Sequence, residues 1–343
     1  APHASVILLE MEDAPGRHST GRSAAIFIRN YGNRTLRALN AASEPVLKEP
    51  EGISDNSLLT PRGELLIASE DELANFDSYL DGAEGMERIS AQDAVDLFPL
   101  LRPEPIAAAA IERDAQDIDV DRLLQGFART ARRNGAKIVT DAKVTTLTRS
   151  ASTWTAETPA GSFEAPIVIN AAGAWADGIA GLAGVTKVGL VPMRRSAAIL
   201  PVPEGVDVTR WPLVASASES WYAKPDAGKL MVSPADEDPV EPHDAWPDDM
   251  VLAEGLYRFE QAVTMPVTRV ERSWAGLRNF VADRTPVVGF APETQGFFWL
   301  AGQGGYGVQT APALSQLTAD LCLGRSSPLE DDVIKALDPN RFA

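Results

Sequence analysis

Short apolar runs alternate along this chain with longer stretches in which apolar residues have helical spacing. Residues 5–9, 63–69 and 297–301 are apolar runs of strand length, and 5–9 has the β-branched composition of a buried strand. Residues 33–47 and 119–135 place apolar side chains three and four positions apart, which predicts amphipathic helices. Strands and helices are therefore expected along the whole chain.

Polar and special residues mark the expected helix ends. Ser90 precedes an aspartate by three positions, as in a capping box, and Asp119 can cap the helix that ends before Gly135. The last long helix is expected to open near Thr310, with Pro312 tolerated in its first turn.

The order of these elements predicts an α/β fold in which strand–helix units enclose two strand-rich inserts. This order favours a Rossmann-like nucleotide-binding domain interrupted by an α+β domain with a mainly antiparallel sheet. The expected boundaries are 1–56, 116–189 and 279–343 for the nucleotide-binding domain, and 57–115 and 190–278 for the substrate-binding domain.

The opening stretch, residues 4–27, resembles the middle of a nucleotide-binding unit. A strand ends on Glu10, where an acid can bind ribose hydroxyls, and a small hydroxyl-rich loop follows. No GxGxxG sequence occurs within residues 1–27, where a nucleotide-binding unit would carry it. We therefore expect the working protein to carry a first strand and a glycine-rich phosphate loop ahead of residue 1.

Composition narrows the range of partners. A net charge of −17 over 343 residues disfavours binding to nucleic acid or to anionic membranes. It favours cationic small molecules only weakly, because many acidic globular proteins share this balance. Cys322 is the only cysteine and His3, His18 and His243 are scattered, so neither a disulfide nor a metal site is expected. No apolar stretch approaches the ~20 residues of a transmembrane segment.

Two turns rich in small residues are the candidate ligand-binding elements. Gly302, Gly304, Gly305 and Gly307 follow an apolar strand and precede a helix, whose free N–H groups suit a negatively polarised ligand. Residues 167–183 repeat this arrangement more weakly. A tight strand–helix turn is the alternative at both places, and the pattern alone does not identify a dinucleotide.

Four segments together resemble the FAD-dependent D-amino-acid oxidase-like family. They are HSTGRSAA (18–25), IVINAAGAWAD (167–177), WAGLRNFVAD (274–283) and WLAGQGGYGVQT (299–310). Within that family the strings LLTPRGE (58–64), MRRSA (193–197) and WYAKPDAG (221–228) are most similar to the bacterial D-arginine dehydrogenases.

The resemblance implies an FAD cofactor. Relatives that tether flavin do so through a cysteine near Arg278, whereas Cys322 lies in the final helix, so non-covalent binding is expected. The cofactor-binding residues that the resemblance implies are Glu10, Met11, Ser19, Thr20, Gly21, Arg22, Ser23, Ala24, Ala25, Ile26, Val144, Ala172, Gly173, Gly304, Gly305, Tyr306, Gly307, Val308 and Gln309.

The same resemblance implies an amino-acid substrate held by its carboxylate. Arg278 would clamp the carboxylate with Tyr222 as hydroxyl partner, and Arg195 would supply a second guanidinium. Tyr31 would cover the substrate as a mobile lid. Gly305 would help aim the Cα–H bond, so the catalytic residues are Arg278, Tyr222 and Gly305, and the substrate-binding set adds Tyr31, Glu64, Arg195 and Gln309. On the residues alone, both arginines could equally form structural ion pairs, and both tyrosines could be core residues.

Glu64 bears on the substrate class. The resemblance places it opposite the cationic side chain of D-arginine or D-lysine, which an uncharged side chain could not replace. A solvated strand acid is the alternative. Ile26 departs from the pattern, because the D-arginine enzymes carry a histidine there; this change could favour more apolar substrates.

The function implied is dehydrogenation of D-amino acids, with hydride passing from Cα to the flavin and the imine hydrolysing to a 2-oxo acid and ammonia. The electron acceptor is expected to be a quinone or redox partner rather than O2, in the cytoplasm or peripherally at the inner membrane. Two alternatives stay open: an O2-using oxidase of glycine, N-methyl or neutral D-amino acids, and a flavin-free truncated homologue without activity.

Overall fold

A computed structural model describes residues 4–342 of the chain. His3 lies outside the described residues. The α-helices are α1 (Arg34–Lys48), α2 (Leu73–Leu80), α3 (Ala91–Leu97), α4 (Val120–Arg133), α5 (Ala176–Leu182), α6 (Asp249–Ala262), α7 (Gly307–Cys322) and α8 (Asp331–Leu337).

Local polar contacts explain where several helices begin and end. The Ser90 side chain accepts from Asp93 N to form the predicted capping box of α3, and the Asp119 side chain caps α4. Gly135 follows α4 with φ of 85°, a left-handed conformation that suits glycine. These predictions are confirmed.

The predicted start of α7 is wrong by one turn. The helix begins at Gly307, and Pro312 is its sixth residue rather than part of its first turn. Helical hydrogen bonding begins before Thr310, because Thr310 N already donates to Tyr306 O at 3.0 Å.

The strands in chain order are β1 (Ile7–Leu9), β2 (Ile26–Phe27), β3 (Leu59–Pro61), β4 (Glu64–Ala68), β5 (Met86–Ile89), β6 (Ala108–Glu112), β7 (Gln116–Ile118), β8 (Lys137–Val139), β9 (Thr146–Ser150), β10 (Thr153–Thr158), β11 (Gly161–Ala165), β12 (Val168–Asn170), β13 (Val191–Leu200), β14 (Leu213–Ser216), β15 (Tyr222–Asp226), β16 (Lys229–Ser233), β17 (Asp238–Pro239), β18 (Arg272–Phe280), β19 (Val287–Phe290) and β20 (Phe297–Ala301).

A nine-stranded sheet is the platform for the substrate side of the molecule. Its order is β17-β13-β16-β15-β14-β4-β6-β5, and β18 pairs with β13. Only the β14–β4 pair is parallel, so the sheet is mainly antiparallel, as predicted. A buried apolar cluster between this sheet, α3 and α6 contains Phe98, Val214, Trp221 and Phe259.

The nucleotide-binding side consists of smaller sheets. Strands β1 and β8 form a parallel pair, β12-β20-β19 form a second sheet with β12 parallel to β20, and β11-β10-β9 form a meander. A three-stranded sheet, β2-β7-β3, lies between the loop after β1 and the large sheet. Parallel strands combined with α1, α4, α5 and α7 give the predicted Rossmann-like character.

Residues 5–9 are expected to form a buried strand, and the expected burial is wrong. Strand β1 forms, but Val6, Ile7 and Leu8 are 39%, 39% and 46% exposed. Within residues 4–342, β1 bonds only to β8, so no second neighbouring strand covers it.

None of the helices in the described residues has the length and apolar character that crossing a bilayer requires.

Candidate active site

Two adjoining cavities lie where the large sheet meets the glycine turn before α7. The larger has a volume of about 380 Å³ and the smaller about 90 Å³. Seven residues line both: Ser23, Ala24, Arg195, Tyr222, Arg278, Gly305 and Val308. The shared wall brings both predicted arginines and one predicted tyrosine to the junction of the cavities.

The larger cavity collects many of the residues predicted to bind the cofactor. Those on its wall are Ser19, Thr20, Arg22, Ser23, Ala24, Gly173, Gly304, Gly305, Gly307 and Val308. Ala25, Ile26 and Gln309 border the smaller cavity instead. Glu10, Met11, Gly21, Val144, Ala172 and Tyr306 border neither cavity.

Hydrogen bonds to strands β15 and β18 hold the 19–26 segment against the large sheet. Ser19 Oγ donates to Leu277 O at 2.7 Å, and Arg22 Nη1 donates to Ala275 O at 2.9 Å. Lys224 Nζ donates to Ala24 O at 2.8 Å. Because these contacts join loop to strand, they fix the position of the segment that lines the larger cavity.

Two polar atoms on the wall of the larger cavity fit the FAD that the sequence predicts. Arg195 Nε and Asn279 Oδ1 are buried and have no hydrogen-bond partner within residues 4–342. An unpaired buried polar group costs about 1–3 kcal/mol, so a ligand with its own donors and acceptors is favoured there. The flavin ring has both.

The glycine turn is shaped by close backbone approach. A Cβ atom on Gly304, which has φ of 53°, would overlap the Phe280 ring. A Cβ atom on Gly305 would lie 2.9 Å from the Arg278 guanidinium carbon. Gly304 therefore requires glycine, whereas a side chain at Gly305 would displace the Arg278 guanidinium.

The two predicted arginines project from paired strands. Strand β13 runs antiparallel to β18, with Arg195 opposite Gly276 and Met193 opposite Arg278. This register sets Arg195 and Arg278 diagonally on one face of the sheet.

The two guanidinium groups differ in charge balance. Arg195 Nη2 is 2.8 Å from Glu237 Oε1, and Glu237 also pairs with Arg284. Arg278 has no carboxylate within 4.0 Å among residues 4–342; its Nη1 donates to the Tyr31 hydroxyl at 3.2 Å. Arg278 is therefore the cation at this junction that is available to an anionic ligand.

Tyr31 lies above the junction on the segment between β2 and α1. Its ring packs against Tyr306 with centroids 4.6 Å apart. Burial raises the pKa of the Tyr31 hydroxyl, with Arg278 opposing this effect. The group is therefore a neutral hydroxyl at physiological pH, able to accept from Arg278 and donate to a ligand.

The predicted specificity acid, Glu64, is buried at the wall of the smaller cavity. It is 4% exposed, and its Oε2 accepts from the Tyr79 hydroxyl at 2.9 Å. Burial, reinforced by the nearby charge of Glu112, raises the pKa of Glu64 to about 8. With the cavity empty, this carboxyl is mainly protonated at pH 7.

All seven predicted substrate-binding residues line the smaller cavity. These are Tyr31, Glu64, Arg195, Tyr222, Arg278, Gly305 and Gln309. The sequence analysis did not identify Tyr79, Glu112 or Glu219. Glu219 lines the same cavity with φ of 53°, and Glu112 ends the apolar strand β6. For Glu112, the sequence offered one signal, a single acid at the end of an apolar run. Nothing in the sequence distinguished Tyr79.

Sequence comparison relates the chain to flavoenzymes. The model of the family described as FAD dependent oxidoreductase (DAO) matches residues 1–321. FAD-dependent oxidoreductase domain-containing protein 1 of Bos taurus is 28% identical over 306 residues, covering 77% of this chain and 62% of the bovine protein. Mitochondrial dimethylglycine dehydrogenase of Homo sapiens is 25% identical over 274 residues, covering 74% of this chain and 31% of the human protein. The chain thus spans less than two thirds of either relative.

Glycine oxidase of Geobacillus kaustophilus is 24% identical over 295 residues. The match covers 83% of this chain and 75% of the oxidase. The corresponding crystal structure superposes with a TM-score of 0.80 at 21% identity, covering 96% of this chain and 90% of the oxidase. The crystal structure of L-proline dehydrogenase from P. horikoshii superposes with a TM-score of 0.82 at 21% identity, covering 99% of this chain and 97% of the dehydrogenase. These structures share the fold.

The family prediction is confirmed, and so is FAD as the cofactor. The finer prediction of a D-arginine dehydrogenase stays a prediction, because the relatives named above carry other activities in their names. Non-covalent attachment likewise stays a prediction. The chain belongs to the FAD dependent oxidoreductase family.

Proposed function

We propose that the protein dehydrogenates free amino acids and prefers D-amino acids with a cationic side chain, D-arginine or D-lysine. The observation that carries this proposal is Arg278, a guanidinium without a carboxylate partner in residues 4–342, at the junction of the two cavities. A half-buried cation in this state favours an anion, and the α-carboxylate of an amino acid is an anion of suitable geometry.

Arg278 and its neighbours form a clamp. The guanidinium offers a planar fork for two carboxylate oxygens, while Tyr31 and Tyr222 line the same space with hydroxyl groups. Arg195 shares the carboxylate of Glu237 with Arg284, and within residues 4–342 its Nε–H has no partner, so this N–H is the group that Arg195 offers to a ligand.

The opposite wall of the smaller cavity suits a cationic side chain. Glu64 and Glu219 supply carboxyl groups there, and Tyr79 fixes one Glu64 oxygen. A guanidinium or ammonium entering the cavity would stabilise the ionised form of Glu64, so binding and ionisation of this acid would occur together.

FAD, when bound, would supply the hydride acceptor for the substrate Cα–H, and the imine product would be hydrolysed by water to a 2-oxo acid and ammonia. The chain's part is to hold the carboxylate at Arg278 so that Cα lies beside the glycine turn. Fixed geometry of this kind supplies much of an enzyme's rate. The reacting amine must be neutral, and we assign its proton to solvent water next to Tyr31 or Tyr222.

A second candidate function is oxidation of glycine or of small N-methyl or neutral amino acids. The volume of the smaller cavity, about 90 Å³, favours it, as do the names of glycine oxidase and dimethylglycine dehydrogenase among the relatives. O2 would be the acceptor in that case, and peroxide the product.

A substrate panel decides between the two. The purified protein, with its flavin absorbance recorded, is assayed on D-arginine, D-lysine, D-leucine, glycine and sarcosine, with an artificial acceptor and with O2. The proposal expects the largest kcat/KM with D-arginine or D-lysine and little peroxide. Higher kcat/KM with glycine or sarcosine, together with peroxide, would replace it by the second candidate. Flavin-containing protein inactive on every amino acid would refute both.

A further inference from the structure

Glu64 has a buried acidic partner that does not touch either cavity. Glu112 on β6 is directly opposite Glu64 on β4 in the antiparallel register, and the two residues are 2% and 4% exposed. Opposite residues in an antiparallel pair have Cβ atoms about 4.5–5.5 Å apart on the same face of the sheet. The large sheet therefore brings two carboxyl groups together behind the smaller cavity.

Glu112 is also tied to the segment that carries Tyr31. Its Oε1 accepts from Arg29 N at 2.9 Å, and its Oε2 accepts from Asn30 Nδ2 at 2.6 Å. Arg29 and Asn30 directly precede Tyr31, whose hydroxyl accepts from Arg278. The Glu112 side chain thus contacts the backbone that leads to Tyr31, and it also faces Glu64 at the other end of the smaller cavity.

We propose that Glu112 is a positioning residue that tunes specificity: its carboxylate holds the Arg29–Tyr31 segment in place and opposes a second negative charge on Glu64 until a cationic side chain enters the cavity. This inference rests on the proposed preference for basic amino acids.

The hydrogen bonds indicate which of the two acids carries the charge. Burial raises the pKa of both carboxyls, but Glu112 accepts two N–H donors and lies near Arg29, which oppose this rise. Among residues 4–342, the Tyr79 hydroxyl is the one hydrogen-bond donor to the Glu64 carboxyl. The charge therefore resides on Glu112 in the empty site, and Glu64 keeps a proton.

The other ionisable groups around the pair are few. Glu64 faces Tyr79 from α2 and Glu219 from the turn after β14, and Tyr31, Arg195, Tyr222 and Arg278 line the same cavity. The Arg29 guanidinium lies near Glu112 but is paired with Glu44 at 2.5 Å. Glu219 is exposed, so it is screened by solvent, and Glu112 is the buried negative charge that Glu64 meets.

The consequence is specific to cationic ligands. With a pKa of about 8, Glu64 is about one-tenth ionised at pH 7, so a cationic ligand must first displace a proton. A ligand without a side-chain charge has no such requirement. Removing the Glu112 charge should therefore raise the affinity for cationic ligands at pH 7 by up to about tenfold relative to neutral ones.

Two unreactive ligands test this by titration calorimetry on the FAD-loaded protein. Both 5-guanidinopentanoate and hexanoate present a carboxylate to Arg278 but lack the α-amine. The measured quantities are the affinity ratio of the two ligands from pH 6 to 9 and the protons released on binding, from buffers of different ionisation enthalpy. The wild type should release protons with the guanidino ligand at pH 7 and none with hexanoate.

The Glu112→Gln variant should raise the affinity ratio at pH 7 by about two- to tenfold, because burial continues to raise the pKa of Glu64, and it should reduce proton release. Hexanoate itself should bind several-fold more weakly as the Tyr31 segment loosens. Glu87→Gln, at an exposed acid on the neighbouring strand β5, should behave as the wild type. If Glu112→Gln does not fold, Glu112→Asp decides: it keeps the charge, so the pH dependence of the ratio should not change.

The outcomes separate this inference from the proposed function. If the wild type shows no preference for the guanidino ligand even at pH 9, both are wrong. If a preference exists and Glu64→Gln abolishes it, but Glu112→Gln leaves the ratio and proton release unchanged, only the inference about Glu112 is overturned. A shift of the pH dependence in Glu112→Asp also overturns it.

Discussion

Arg278 and Gly305 are in direct contact: the backbone of the glycine turn lies so close to the guanidinium that a methyl group on Gly305 would come within 2.9 Å of its central carbon. This contact connects the last strand of the large sheet to the turn before α7. The position of the guanidinium is thus set by the backbone on one side and by the Tyr31 hydroxyl on the other.

Gly305→Ala is expected to lower kcat/KM for every amino-acid substrate by at least tenfold, about 1.4 kcal/mol of transition-state stabilisation, because the guanidinium must move away from the added methyl group. Steady-state kinetics check it. Gly178→Ala provides the control, since a methyl group there meets nothing within 4 Å. A Gly305→Ala variant with wild-type kinetics would show that the contact tolerates displacement.

Arg278→Lys is expected to lose at least tenfold in kcat/KM on basic and neutral substrates alike, about 1.4 kcal/mol, because lysine provides a point charge instead of a planar fork. Arg269→Lys, at an exposed position beside Glu271, should leave kinetics unchanged. Unaltered kcat/KM in Arg278→Lys across several amino acids would remove Arg278 from the carboxylate clamp.

Glu64→Gln is expected to reduce kcat/KM for D-arginine and D-lysine selectively while sparing D-leucine and D-methionine. A glutamine keeps the volume and can still accept from Tyr79, but it cannot pair with a cationic side chain. Kinetics on the four substrates measure the effect. Equal losses on all four would assign Glu64 a structural role.

Glu64 should also make the folded protein less stable as the pH rises. Its pKa of about 8 when folded exceeds the value of about 4.3 expected when unfolded. The folded chain therefore binds more protons between these values, and the free energy of unfolding falls from about pH 4.3 to about pH 8.

The Glu64→Gln variant removes this dependence. Its Tm should match the wild type at pH 4 and exceed it by a few degrees at pH 9. Thermal unfolding of both proteins over that range measures it, with Glu87→Gln as the exposed-acid control. Parallel Tm curves for Glu64→Gln and the wild type would mean that Glu64 is ionised in the folded protein.

Ile26→His is expected to change the handling of basic substrates, because Ile26 lines the smaller cavity and a histidine would add a polar group to that wall. The measurement is kcat and KM for D-arginine against D-leucine. If neither constant nor their ratio changes, Ile26 only fills space.

Several features followed from the sequence because they depend on neighbours along the chain. The caps at Ser90 and Asp119 are local hydrogen bonds, and Gly135 relieves a local backbone constraint. The strand, glycine turn and helix at 297–322 were recognisable for the same reason, although the helix starts one turn early. The family also followed, because its four motifs are contiguous segments.

The charge state of the site was decided only by the tertiary structure. Arg195 and Arg278 are alike in sequence, yet in the described part of the chain only Arg195 pairs with a carboxylate, that of Glu237, 42 positions away. Glu64 and Glu112 are 48 residues apart, and only the β4–β6 register makes them neighbours. The exposure of β1 likewise depends on which strands pair with it. Ionisation and burial depend on groups that meet through strand pairing, and hydrophobic periodicity contains no information about those pairs.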